Sequence, residues 1–155
     1  MMRRRQRGVI LLALLITMAL AQIALLGALE LSTLERKRER EDELLFVGQQ
    51  YRSAILRYYY ANPAGQPRLL PRTLDDLIKD PRYPMSVRHL RRLYKDPISG
   101  GSDWGLVMKN GGIAGVFSPS DEAPLKKGNF PPGDEAFEGK AKYRDWLFVA
   151  SVIGS

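Results

Sequence analysis

The stretch VILLALLITMALAQIALLGAL, residues 9–29, decides the architecture of this chain. It runs for 21 residues without a charge, and only Thr17, Gln22 and Gly27 interrupt its apolar side chains. A helix of that length measures roughly 32 Å, which matches a bilayer core of about 30 Å. We therefore expect residues 9–29 to form a single membrane-spanning helix.

The composition of the whole chain excludes several classes of function. Its 155 residues suffice for one domain, and it has no cysteine and a single histidine, His89. Disulfides, thiolate metal sites and thiol nucleophiles are excluded, and histidine-based catalysis is disfavoured. We predict that the protein is not an enzyme and needs no cofactor.

Charge at the amino terminus predicts the orientation of the chain. The formal net charge is +7, and Arg3, Arg4, Arg5 and Arg7 supply four of those charges before the first acid, Glu30. Basic flanks stay on the cytoplasmic side of a membrane, so we place the amino terminus inside and the body outside. From residue 9 onward 20 basic residues face 17 acidic ones. A net charge of only +3 argues against nucleic acid as a partner.

Hydropathy leaves three interpretations of the amino terminus open. The apolar run is an uncleaved anchor, or a secretory signal cut after the Ala19-Leu20-Ala21 pattern so that the mature chain starts at Gln22. In the third interpretation, residues 1–8 are a prepilin-type leader. Cleavage between Gly8 and Val9 then removes the arginines and keeps the apolar helix.

The next segment, residues 30–61, is predicted to continue the helix. Residues 35–43 read ERKREREDE, nine charges in a row, from which we expect a solvated helical neck with no face in an apolar core. An apolar stripe with spacings of 3, 4, 4 and 3 follows and predicts a face packed on a core: Leu44, Val47, Tyr51, Ile55 and Tyr58. The sequence Asn-Pro-Ala-Gly at 62–65 ends the helix, which would cover residues 9–61 and measure roughly 80 Å.

Residues 62–155 are predicted to form a head of short elements. Thr73 is expected to cap a short helix that stops before Pro81, and a further turn is expected at 90–94. Strands are predicted at 104–108 and 113–117 around an Asn-Gly turn, with a final strand at 146–152 and a loop at 119–142. The predicted fold class is α+β, a long amino-terminal helix packed on a small antiparallel sheet.

This arrangement resembles the type IV pilin superfamily, and in particular the pseudopilins of type II secretion systems. The resemblance rests on the arginine-rich leader ending at Gly8, the apolar helix from Val9 and its amphipathic continuation to Tyr60. Three shorter motifs resemble those of the major pseudopilins: LPRTLDDL at 70–77, LYKDP at 93–97 and SPSD at 118–121.

The resemblance implies a structural function in the bacterial inner membrane. A prepilin peptidase would cleave after Gly8 and the new amino terminus at Val9 would be methylated. The apolar helix would then pack with identical or related subunits on an inner-membrane assembly platform, powered by a separate cytoplasmic ATPase. The expected assembly residues are Ala13, Leu14 and Ile16. Ala13 departs from the family, which usually has a glutamate at this fifth mature position, and so favours a minor subunit over the principal one.

Two charged clusters in the head suggest ligands. Major pseudopilins bind calcium in a comparable late loop, and the acidic residues available for this are Asp121, Glu122, Asp134 and Glu135. They lack the Asp-x-Asp-x-Asp-Gly spacing of a calcium loop, so a solvated loop is the default interpretation. The second cluster, here called the basic cluster, consists of the basic residues between positions 82 and 95, including Arg82 and His89. Four of its members are candidate contacts to a polyanion: Arg88, Arg91, Arg92 and Lys95.

Two other functions stay open from the residues alone. The chain could be a signal-anchored or secreted periplasmic binding module that never polymerises, which the Ala19-Leu20-Ala21 pattern favours. It could also be a minor pilin that contacts DNA through the basic cluster.

Overall fold

The structure, a computed structural model, describes the backbone of residues 3–151 and the side chains of 8–23 and 33–151. Within residues 3–151 the elements define an α+β fold with one α-helix, α1 (Arg3–Tyr60), followed by a small sheet. The strands are β1 (Gly105–Lys109), β2 (Gly112–Phe117) and β3 (Phe148–Val149). Single turns of 3-10 helix lie at Asp75–Leu77, Glu135–Phe137 and Tyr143–Asp145.

The sheet is antiparallel, with strand order β1-β2-β3. β1 and β2 form the predicted hairpin, whose turn places Asn110 and Gly111 at φ values of 50° and 77°. Two successive positive φ angles are typical of the tight hairpin turn that Asn-Gly favours. Of the predicted final strand at 146–152, residue 152 lies outside the described residues, and within 146–151 β3 covers only two residues.

The chain divides into two compact units, residues 1–39 and 40–155, and the hydrophobic core belongs to the second. The apolar stripe predicted on the helix lies in this core, where none of its five members is more than 4% exposed. Aromatic rings dominate the packing. The ring of Tyr51 on α1 lies 5.2 Å from that of Trp104, and Trp146 stacks on Phe137 at 5.4 Å. These contacts confirm the predicted amphipathic helix.

At Gly48 α1 packs closely against β3. A Cβ atom at this position would lie 2.4 Å from the ring of Phe148, well inside van der Waals contact. Only a residue without a side chain allows this approach. The glycine in the middle of this helix is therefore required by packing.

Three local predictions were wrong, two in the head and one in the charged segment of α1. Thr73 does not cap a helix; Asp76 instead accepts hydrogen bonds from the Arg72 and Thr73 backbone N–H groups and from the Thr73 hydroxyl. Residues 90–94 form no helical turn. The charged segment 35–43 is not wholly solvated, because Glu41 is only 2% exposed. The Asp76 contacts are local, three or four positions apart. The Leu90 backbone and the Glu41 carboxylate instead find partners distant in sequence, at Leu77 and Leu125, which local propensity does not report.

Candidate functional site

The apolar amino-terminal part of α1 carries the processing and assembly residues that the sequence predicted. Gly8 and Val9 are exposed, and an added Cβ at Gly8 would meet no atom within 4 Å. Ala13, Leu14 and Ile16 are also exposed. Ten large apolar side chains in residues 8–23 are each at least 52% exposed: Val9, Ile10, Leu11, Leu12, Leu14, Leu15, Ile16, Met18, Leu20 and Ile23.

These side chains do not form a stripe. Residues 9–12 are consecutive, and successive positions on an α-helix are about 100° apart, so apolar groups surround the helix on every side. Within the residues described, no helix is both long enough and apolar enough to qualify as a membrane span. The predicted span 9–29 includes residues 24–29, whose side chains lie outside the described set.

Glu41 joins α1 to the late loop of the head. Its carboxylate accepts hydrogen bonds from the backbone N–H groups of Leu125 at 3.0 Å and Lys126 at 2.8 Å. The Tyr143 hydroxyl donates a third, at 2.9 Å. Burial, together with the hydrogen bond to Glu41, raises the pKa of Tyr143. The phenol therefore stays protonated and continues to donate to the carboxylate.

The four acidic residues suggested as calcium ligands are engaged in separate contacts. Asp121 pairs with Lys142 at 2.8 Å and Arg144 at 3.0 Å, and the hydrogen bond from Lys142 is the main cause of its lowered pKa. Asp134 is buried and lies 2.7 Å from Nη1 of Arg52 on α1.

Of the remaining two acidic candidates, Glu122 lies in irregular chain and Glu135 begins the 3-10 turn at Glu135–Phe137. Glu135 accepts a hydrogen bond from the Gly133 backbone N–H at 2.8 Å, and Glu122 is exposed. Among the side chains described, no three acidic or histidine groups come together in a way that could hold a metal ion. The contacts of Asp134 and Asp121 are cationic, so arginine and lysine pair with two of the carboxylates that the resemblance had suggested as calcium ligands, the alternative to the solvated loop.

Two residues of the basic cluster face a buried carboxylate instead of solvent. Asp80 is 1% exposed, and its carboxylate accepts hydrogen bonds from Arg82 at 2.6 and 2.9 Å. His89 Nε2 lies 2.9 Å from Asp80 Oδ2. The guanidinium of Arg82 also lies 3.7 Å above the ring of Tyr58 and donates to its carbonyl at 2.7 Å. Arg82 and His89 are therefore structural, and including them in a surface cluster was wrong.

Burial alone would raise the pKa of Asp80, but the hydrogen bonds from Arg82 and His89 outweigh it and lower the pKa to about 2. The hydrogen bond between Arg82 and Asp80 also raises the pKa of Arg82. Asp80 is therefore a permanent anion at neutral pH, and its charge fixes the segment that follows it.

The other four basic residues are exposed and differ in their surroundings. Arg88 and Arg91 line a cleft of about 410 Å³, together with Gln50, Arg57, His89 and Leu90. Arg92 is not part of this lining; its guanidinium lies 5.0 Å from the ring of Tyr94. Lys95 does not line the cleft either. The structure thus separates four residues that the sequence grouped together.

Three buried carboxylates, Glu41, Asp80 and Asp96, were missed as organising residues. Two of them, Asp80 and Asp96, each precede a proline, which is a signal visible in the sequence. The first Asp-Pro was interpreted as a helix stop and the second as part of the LYKDP motif. Glu41 had no signal, since it is one of nine consecutive charged residues. Comparisons with models of known protein families, with curated proteins and with solved structures found no match.

Proposed function

We propose that the chain is a pilin-like structural subunit of a filament, of the pseudopilin kind that supports protein secretion. In this proposal residues 1–8 are a leader and 9–29 are the membrane and assembly helix. Residues 30–61 are the neck and amphipathic helix, and 62–155 are a periplasmic head. Prepilin peptidase, other pilin-like subunits and an inner-membrane platform are the partners.

The exposed apolar surface of residues 9–23 is the observation that carries this proposal. Full burial of one large aliphatic side chain is worth about 1.5–3 kcal/mol, so covering ten of them contributes on the order of 10 kcal/mol or more. Because the apolar groups surround the helix, a one-sided partner would leave half of them in water. A bilayer, or a bundle of equivalent helices, covers every side.

The packing of the carboxyl-terminal half of α1 in the core of the head supports the same proposal. The helix continues to Tyr60 and supplies one whole face of the hydrophobic core. Glu41 and Arg52 add polar contacts between this helix and the late loop. An apolar helix that becomes part of a head core is suited to present one folded domain per assembled subunit.

Cross-linking of single cysteines tests assembly, because the natural chain has none. Leu14→Cys and Ile16→Cys place a thiol at positions about 200° apart around the helix. In membranes that contain the assembly platform and prepilin peptidase, an oxidant should link both variants into dimers. Met85→Cys is the control, since Met85 is 80% exposed on the head and lies outside the helix.

Dimers that depend on the peptidase at both helix positions, but not at residue 85, support a helical bundle. If Leu14→Cys and Ile16→Cys stay monomeric while the protein is in the membrane, the chain is an anchored module that does not polymerise. Recovery of either variant in a soluble fraction would support the secreted alternative.

A further inference from the structure

The backbone between residues 88 and 91 is held by hydrogen bonds and by burial of its side chains. The N–H groups of His89 and Leu90 both donate to the carbonyl of Leu77 at 2.8 Å. The His89 ring faces the buried carboxylate of Asp80, and the Leu90 side chain lies in the hydrophobic core. The two residues that flank this anchored pair, at 88 and 91, are the exposed arginines of the cleft.

A third arginine reaches the same cleft from the last turn of α1. Arg57 Nη2 donates to the His89 carbonyl at 2.7 Å, which ties the helix end to the anchored segment. No carboxylate in the described part of the chain forms an ion pair with Arg57, Arg88 or Arg91. Three guanidinium groups, one from α1 and two from the segment at 88–91, therefore line one cleft, and among the described side chains none of the three forms an ion pair with an acid.

We propose that this cleft binds a phosphate group, with Arg88 and Arg91 as its main ligands and Arg57 and Gln50 as additional donors. A guanidinium presents two parallel N–H donors that match the oxygen atoms of phosphate. Three cations exceed the charge of one carboxylate, whereas a phosphate carries more negative charge and more acceptor oxygens. The volume of about 410 Å³ admits the group with part of its ester. This inference does not rest on filament assembly.

A matched control variant can remove the same number of positive charges from residues that do not line the cleft. Arg92 and Lys95 are exposed and close in sequence, yet neither lines the cleft. The pair Arg88→Gln with Arg91→Gln and the pair Arg92→Gln with Lys95→Gln each remove two positive charges. Diffuse attraction responds equally to both pairs, whereas a site responds only to the first.

Isothermal titration of the full chain in non-ionic detergent provides the test, with inorganic phosphate as the first probe. A short thymidine oligonucleotide and hexaglutamate are the second and third. We expect one phosphate bound per chain. Loss of two charge-assisted contacts should weaken binding at least tenfold, or about 1.4 kcal/mol, in the cleft pair, against less than about threefold in the control pair.

The oligonucleotide identifies the source of the phosphate. Tighter binding than inorganic phosphate, with the same response to the two variant pairs, would assign the cleft to a nucleic-acid backbone; equal or weaker binding would assign it to a small phosphate ester. Equal losses in both pairs would overturn the proposal, as would displacement of phosphate by hexaglutamate. It would also fail if neither phosphate nor the oligonucleotide binds in a manner that depends on Arg88 and Arg91.

Discussion

Ser118 Oγ donates a hydrogen bond of 2.7 Å to Asp96 Oδ2, and both residues are fully buried. The same carboxylate accepts the backbone N–H groups of Ile98 and Ser99, each at 3.1 Å. Asp96 thus closes the turn that leads to β1 and ties it to the end of β2. The two motifs that the sequence analysis singled out at 93–97 and 118–121 are in direct contact here.

Ser118→Ala should destabilise the head by about 1–3 kcal/mol, because it removes the shorter of the two hydrogen bonds to Asp96 Oδ2, a fully buried carboxylate oxygen. Unfolding by urea, followed through the fluorescence of Trp104 and Trp146, measures the change. Ser102→Ala is the matched control on the exposed surface and should stay within about 0.5 kcal/mol of the natural chain. Equal losses in the two variants would show that the buried contact contributes nothing specific.

Glu41→Gln should cost about 2–4 kcal/mol, since the carboxylate that accepts three hydrogen bonds becomes an amide with one acceptor oxygen. The same denaturation experiment applies. Glu43→Gln, two residues away and exposed, removes the same charge and should have little effect. A larger loss for Glu43→Gln than for Glu41→Gln would contradict the contact between α1 and the late loop.

The lowered pKa of Asp80 predicts that the unfolding free energy of the head decreases in acid. Its pKa is lowered from 3.8 to about 2 in the folded chain, so its contribution is present above pH 4 and lost as the pH falls towards 2. The full contribution is about 2 kcal/mol. The difference in unfolding free energy between the natural chain and Asp80→Asn should shrink by about that amount from pH 5 to pH 2. A difference independent of pH over this range would refute the charged contact.

Gly48→Ala should destabilise the head by about 1–3 kcal/mol, because the new methyl group meets the Phe148 ring. Phe148→Leu removes part of that ring and should relieve the clash. The double variant should therefore lose at least about 1 kcal/mol less than the sum of the single variants. Strict additivity in this cycle would mean that the two residues do not constrain one another.

Periodic and strongly local signals were sufficient for much of the fold. The stripe from Leu44 to Tyr58 identified the core face of α1, because helical spacing alone determines which side chains share a face. Asn110-Gly111 identified the β1-β2 hairpin, because few other residues adopt two successive positive φ angles at low cost.

Contacts between residues distant in sequence could not be predicted from the sequence. Glu41 meets Leu125 and Tyr143 across more than 80 positions, and its neighbours in the charged run look identical to it. Likewise, Arg88 and Arg92 cannot be told apart from the sequence, since both are arginines in the same basic segment. Only the fold shows that Arg88 lines the cleft and Arg92 does not. Such sites depend on which side chains the core brings together.

The most direct test of the proposed function is the mature amino terminus, measured by mass spectrometry of the membrane protein with and without prepilin peptidase. Gly8→Val and Ala21→Val are matched variants: the first changes the predicted prepilin site, where the structure leaves space for a side chain, and the second the secretory site. We predict a chain that starts at Val9 only with the peptidase, that is lost in Gly8→Val and that persists in Ala21→Val. A chain that starts at Gln22, or one that keeps the leader whatever the peptidase, would contradict the proposal.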